Sequence, residues 1–292
     1  MALRFAIRFS ILVVIAALPA SAHAASAVVP STVSAHTVVP AGGARTVTLT
    51  CPRLAVALNA AVTRKGAGVT VQRSRPGRSA DDWSFRLVAA RGGGSRSANM
   101  VLRCVRLHIA KGLSGARLVV NTAHQTVSIP ARGSVPAPVS CSRGFVGTGY
   151  ALAGGPRGLI RLATVEPTSR GWNFVVENTG AARANATVYG RCLKRNVAAR
   201  GDGGSVSLRF GVTLRSRRNT VGPGSARTVV HRCRPSEVSL ATGSIVDALD
   251  SIELAGSAPA GPRAGRWTFT NASRGDRADT SLVCLSRRGA FR

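Results

Sequence analysis

The sequence predicts an all-β protein of three tandem antiparallel β-sandwich modules, Ig-like or jelly-roll-like, each with one intramodule disulfide. Three observations predict it. A pattern of cysteine, proline 25 or 26 residues later, Trp-x-Phe, and second cysteine 51 or 53 residues after the first recurs three times. Around those landmarks the apolar residues alternate with a period of two, as in strands whose side chains fall on two faces. Helical periodicity is nearly absent. A repeat near 90 residues also overrides the length prior, which for 292 residues would suggest about two domains.

The first residues carry Arg4 and Arg8, an apolar run Ile11 to Leu18, and Ala22-His23-Ala24. A basic start, a short apolar middle and a small-x-small end read as a signal peptide over residues 1–24, cleaved before Ala25. No later stretch has the ~20 apolar residues of a membrane-spanning helix, so no transmembrane segment is expected after signal removal. Secretion, to the extracellular space or the cell envelope, then accounts for six cysteines, because disulfides persist in oxidising compartments. Six cysteines allow 15 connectivities, and the repeat selects Cys51 with Cys104, Cys141 with Cys192, and Cys233 with Cys284. Each loop closed this way contributes roughly 4 kcal/mol in the chain-entropy model. Zinc is the competing reading, but no pair has a short Cys-x-x-Cys spacing.

Two glycine-containing turns, Lys111 to Gly115 and Gly201 to Gly204, divide the chain into modules 26–110, 116–200 and 205–292. Each opens with a strand-like segment, from Ala27, Ala116 and Val206. In the third, Val206, Leu208, Phe210, Val212 and Leu214 alternate without a break and predict one continuous strand. Val47 and Leu49, Ala137 and Val139, and Val229 and His231 share the face of the first cysteine, which should point inward. After it, Val56, Leu58, Ala60 and Val62 alternate as a half-buried strand, as do Val146, Thr148, Tyr150 and Leu152, and Val238, Leu240, Thr242 and Ser244. A further strand holds Val69 and Val71, Ile160 and Leu162, and Ile252 and Leu254, seven and five residues before each module's proline. Ile245 to Leu254 could form a helical turn, and its Asp247, Asp250 and Glu253 read as a solvated face before a calcium site. The modules are expected to be tightly connected and to form an elongated chain.

Charge bounds the partners. The net charge is +29, from 37 arginines and three lysines against 11 acids. Such a field attracts polyanions or charged cell-surface polymers, yet the arginines are scattered, so a solvated, compositionally biased surface stays open beside functional contact. No groove-reading motif points to sequence-specific nucleic acid.

Chemistry-bearing motifs are missing: there is no Gly-x-Ser-x-Gly, His-Glu-x-x-His, Walker loop or dinucleotide fingerprint, and no repeated carboxylate pair. No catalytic, metal or cofactor residue is assigned. His36 and His124 both follow an alanine in opening strands, and His231 replaces an apolar residue on an inward face. Asn185-Ala186-Thr187 and Asn271-Ala272-Ser273 fit the glycosylation sequon but read as coincidences in a bacterial-looking chain. The aromatic pairs Trp83 and Phe85, Trp172 and Phe174, and Trp267 and Phe269 read as structural core coupled to the disulfides, with an aromatic platform for sugar rings as the alternative.

The stretches CSRGFVGTGYALAGG, GWNFVVENTG and ATVYGRC of the second module resemble a repeat of secreted actinobacterial proteins, a largely uncharacterised family. Its modules run CPAG, a GGG-type strand, GW, Asn, and a closing V-Y-A-x-C. Cys51-Pro52 matches the opening in the first module, while Asn59 to Ala61 stand where glycines belong. The resemblance implies a secreted β-rich repeat and no activity. Together these readings point to a secreted, non-enzymatic structural or binding protein whose basic surface contacts polyanions. A carbohydrate-binding module array and a cryptic hydrolase are the alternatives.

Overall fold

A computed structural model describes residues 26–92, 94–155, 159–201, 204–246, 252–271, 276–286 and 290–291. The segment expected to be a signal peptide, Asp247 and Asp250 of the acidic trio, and Ala272 and Ser273 of the second sequon lie outside the described residues. Among the described residues every regular element is a strand, and Ile245 and Leu254 fall within strands, not a helical turn.

The first copy of the repeat contains β1 (Ala27–Val39), β2 (Ala44–Thr50), β3 (Ala55–Lys65), β4 (Val69–Pro76), β5 (Asp82–Ala89) and β6 (Arg96–His108). They form two three-stranded antiparallel sheets, β1-β6-β3 and β2-β5-β4. The second copy has β7 (Val120–Ile129), β8 (Gly133–Pro136), β9 (Val139–Ser140), β10 (Phe145–Gly154), β11 (Ile160–Pro167), β12 (Gly171–Asn178) and β13 (Ala184–Lys194). A hairpin, β14 (Asn196–Gly201) and β15 (Gly204–Arg209), precedes the third copy of β16 (Val212–Val221), β17 (Ala226–Arg232), β18 (Glu237–Val246), β19 (Ile252–Pro259), β20 (Ala264–Asn271) and β21 (Asp276–Ser286), and β22 (Ala290–Phe291) closes the chain. Pairing repeats: β7-β13-β10 and β16-β21-β18 match β1-β6-β3, and β8/β9-β12-β11 and β17-β20-β19 match β2-β5-β4.

Period-two patterning builds each sandwich. On β5, Trp83, Phe85, Leu87 and Ala89 are buried against Met100, Leu102 and Ala57 of the facing sheet, while Ser84 and Arg86 turn outward. Each disulfide joins the two sheets of one copy: Cys51–Cys104, Cys141–Cys192 and Cys233–Cys284, with Cα separations of 5.7, 5.8 and 5.8 Å. All six cysteines are buried.

The copies are not strung out, as an elongated chain would require. Strand β4 pairs with β10 at Arg73 and Ala153, extending one sheet from the first copy into the second. Strand β11 pairs with β18 through Thr164 with Ile245 and Val165 with Ser244, extending another into the third. Strand β19, the counterpart of β4 and β11, packs against β3, the counterpart of β10 and β18. The ring therefore closes. Its physical reason is that the outer face of each cysteine-bearing sheet is also apolar. Val56 and Val105, Val146 and Leu193, and Val238 and Leu285 belong to one buried cluster with Val197, Leu208 and Phe210 of the hairpin segment. Burying that second face removes apolar area that three separate sandwiches would leave in water.

Two expectations are corrected by this closure. The strand after the first cysteine is not half-buried in the first and third copies, where all residues from Ala55 to Ala60 and from Glu237 to Ser244 are buried, whereas in the second copy it alternates again from Tyr150. A β-bulge interrupts it at Leu58, Thr148 and Leu240 and inverts the alternation, so Val56 and Leu58 face the shared cluster while Ala57 and Ala60 face the first copy's own core. The approach is close at Gly149, where a Cβ would stand 1.9 Å from the Leu58 carbonyl oxygen. The run Val206 to Leu214 is likewise not one strand. It breaks at Phe210, which is buried in the cluster, and at Gly211, whose N–H donates to Ser286 Oγ at 2.9 Å. Residues 204–209 instead pair back on β14, and Ser114 of the first glycine-containing turn bridges to Arg200 of that hairpin.

The three seams differ. Ala153 and Ile245, which lie twelve residues after the first cysteines of their copies, pair across two of them. Thr63 holds the same place in the first copy, but β3 carries a second bulge there, between Val62 and Arg64. Bulges end ladder pairing. Strands β19 and β3 accordingly pack without pairing.

Candidate functional site

Trp83, Trp172 and Trp267, with Phe85, Phe174 and Phe269, are all buried beside the disulfides. None of the three indoles presents a face on which a sugar could stack. Their N–H groups are handled differently in each copy: Trp83 Nε1 donates to Ser74 Oγ at 2.9 Å and Trp267 Nε1 to the Gly243 carbonyl at 2.9 Å. Position 165 is valine where the first copy has Ser74, and Trp172 Nε1 has no hydrogen-bond partner. The Tyr150 ring lies edge-on to it, centroids 5.2 Å apart.

Part of the charge recurs in step with the repeat. Arg53, Arg143 and Arg234 are exposed in the turn after each first cysteine, and exposed Arg106 and Lys194 follow second cysteines. Register places Arg106 opposite Ala55 and Lys194 opposite Phe145, so these cations stand at one end of their copies. The residues flanking them, Val56, Val105, Val146, Leu193 and Val238, meet in the shared cluster. Each copy thus has an exposed arginine between its first cysteine and a strand whose apolar residues join the shared cluster. Among the described residues the ion pairs are Arg161–Glu177, Arg215–Glu237 and Arg218–Asp279, and none involves these five cations.

Two arginines do the opposite. Arg103 and Arg191, each just before a second cysteine, are 1 % and 3 % exposed. Arg191 donates from Nε to the Ala57 carbonyl at 3.0 Å, from Nη1 to Thr122 Oγ1 at 3.0 Å, and from Nη2 to the carbonyls of Ser79 and Ala80. It latches the second copy to the first. Arg103 reaches from the first copy to the Gly261 carbonyl of the third, and its Nε is unpartnered. Burial pulls both guanidinium pKa values down to about 10, opposed for Arg191 by Asp82 and Asp81. The third copy has buried Val283 at this position.

Where the copies meet, a cavity of about 240 Å³ is lined by Asn59, Ala60, Ala61, Val62 and Lys65 of β3, Val71 and Ser74 of β4, Tyr150 to Leu152 of β10, Leu162 of β11 and Ser257 of β19. Tyr150 OH lies 3.3 Å from Ser257 Oγ, which lies 2.9 Å from Thr242 Oγ1. Burial raises the Tyr150 phenol pKa, and the hydrogen bonds with Ser257 and Thr242 oppose the rise. Asn59 is 4 % exposed. Repeat arithmetic could have flagged Tyr150, because the same offset from the first cysteine holds Ala60 and Thr242 in the other copies. Asn59, Ser74 and Ser257 carry no such signal.

The histidines assemble no site. His36 pairs with Asn99 and His124 with Tyr189, five and three residues before their second cysteines, so the two are not equivalent. His231 lies near Trp267, and burial, then Arg217 and Arg215, lower its pKa. Cys233, Glu237 and Cys284 lie together, but both sulfurs are bonded to each other and Glu237 holds Arg215. Asn185 of the first sequon is exposed, whereas Asn271 is buried and donates to the Val221 carbonyl at 2.9 Å. No helix among the described residues is long and apolar enough to cross a membrane. No protein-family model matches the chain, and no curated protein matches its sequence.

Proposed function

We propose that this is a secreted, non-enzymatic protein of the extracellular space or cell envelope that binds polyanions through its basic end. The observation that carries the reading is the set of exposed cations Arg53, Arg106, Arg143, Lys194 and Arg234, none of them in an ion pair among the described residues, beside strands whose apolar residues share one cluster. Three disulfides fit an oxidising compartment, and the repeat resembles those of secreted actinobacterial proteins. Long-range attraction of this kind recognises charge density, so phosphate polymers, teichoic acids and sulfated glycans are nearly interchangeable ligands.

Binding to heparin, to DNA and to neutral dextran at two salt concentrations tests this. Heparin and DNA should bind and dextran should not, with DNA affinity falling log-linearly with salt through counterion release. Replacing Arg53, Arg143 and Arg234 together by Ser should weaken heparin binding more than replacing the exposed Arg45, Arg91 and Arg183. Equal loss from both triple variants would assign binding to diffuse charge, and selection of dextran would remove the proposal.

A further inference from the structure

The cavity at the meeting of the three copies is partly open to solvent. Its volume is about 240 Å³. It lies beside the seam that the Thr63 bulge keeps from pairing, and it is lined from all three copies. Large side chains at every equivalent position would fill it, but only Tyr150 is large where Ala60 and Thr242 stand in the other copies.

Its polar groups are of one kind. Asn59 lines the cavity, and its amide offers both donors and an acceptor. Ser74 accepts the Trp83 N–H and so keeps its own O–H for donation. Tyr150 and Ser257 add a pair of linked hydroxyls. Amide and hydroxyl groups that both give and accept hydrogen bonds suit the hydroxyls of a sugar, and Val71, Leu152 and Leu162 offer an apolar wall for its C–H face. Among the described residues the exposed Lys65 is the one cation on the lining.

We propose that this cavity binds a single acidic sugar unit, a hexuronic-acid-like ring, with its hydroxyls on Asn59, Ser74 and Tyr150 and its carboxylate on Lys65. The site is separate from the basic end and does not depend on it.

The test is titration of the mature, disulfide-bonded protein with D-glucuronate, D-glucose and acetate, followed by calorimetry and by amide chemical shifts. D-Glucuronate should bind with a dissociation constant of about 1 mM or tighter and D-glucose about tenfold more weakly, both shifting the amides of Asn59 to Val62 and Tyr150 to Leu152. Acetate should shift none of them. Lys65→Met should abolish the preference for glucuronate over glucose while leaving heparin binding intact, and Asn59→Leu should lose both sugars. Lys65 is exposed, so that variant keeps the test decisive if Asn59→Leu does not fold. Absence of shifts with either sugar, acetate binding as well as glucuronate, or an unchanged preference in Lys65→Met would each overturn the assignment.

Discussion

Arg103 and Arg191 occupy the same place in the repeat and should respond to the same substitution with opposite sign. Burial that lowers a guanidinium pKa to about 10 corresponds to about 3 kcal/mol against the charged form. A hydrogen bond to a charged group contributes about 1.5 to 3 kcal/mol, and an unmade buried one costs about 1 to 3 kcal/mol. Arg103 has one bond, to Gly261, and an unpartnered Nε. Its balance is unfavourable. Arg103→Met should be neutral or stabilise by up to about 2 kcal/mol, as removal of a poorly compensated buried charge often does. Arg191 has four bonds and the field of Asp81 and Asp82. Arg191→Met strips the Ser79 carbonyl of this donor, although Ala80 still accepts the Ala57 N–H, and should cost about 2 to 4 kcal/mol. Urea denaturation at pH 7 with unchanged slopes measures both. Equal losses in the two variants would refute the reasoning, because they would mean that burial, not partner count, sets the cost.

Trp172→Ala should cost about 3 to 5 kcal/mol, the usual loss for a buried large aromatic, and because Trp172 lies in the cluster shared by all three copies the loss should lower the main unfolding transition in calorimetry. A separate, unshifted transition for the first copy would contradict the closed ring. His231 gives a pH dependence. Its folded pKa lies below the ordinary 6.5, so the unfolded chain binds more protons in the window just below that value. Stability from this group is therefore complete above about pH 6.5 and is lost as pH falls through the folded pKa. His231→Gln should flatten the stability profile in that window, measured by urea midpoints, and a profile that stays equally steep would assign the dependence elsewhere.

The sequence by itself determined the local architecture. Equal cysteine spacings named the disulfide partners, and Trp-x-Phe alternation named the inward face of β5, because both are set within one copy by a period of two and a short loop. It could not determine how the copies meet. Val56 and Leu58 looked like one sandwich's core because alternation records that a face is apolar, not which neighbour covers it. A single bulge at Leu58 redirects the rest of the strand, and bulges leave no residue signature there. Arg53, Arg143 and Arg234 looked scattered because they are far apart along the chain; that the apolar strands following them share one cluster is a matter of tertiary packing. Arg103 and Arg191 were indistinguishable from surface arginines because burial depends on the turn of another copy. The cavity is the strongest case: Asn59, Tyr150 and Ser257 come from three copies, and tertiary packing beside an unpaired seam puts them on one wall. Local periodicity encodes strands, whereas long-range sites depend on the burial of a second apolar face, which any of several neighbours could have covered.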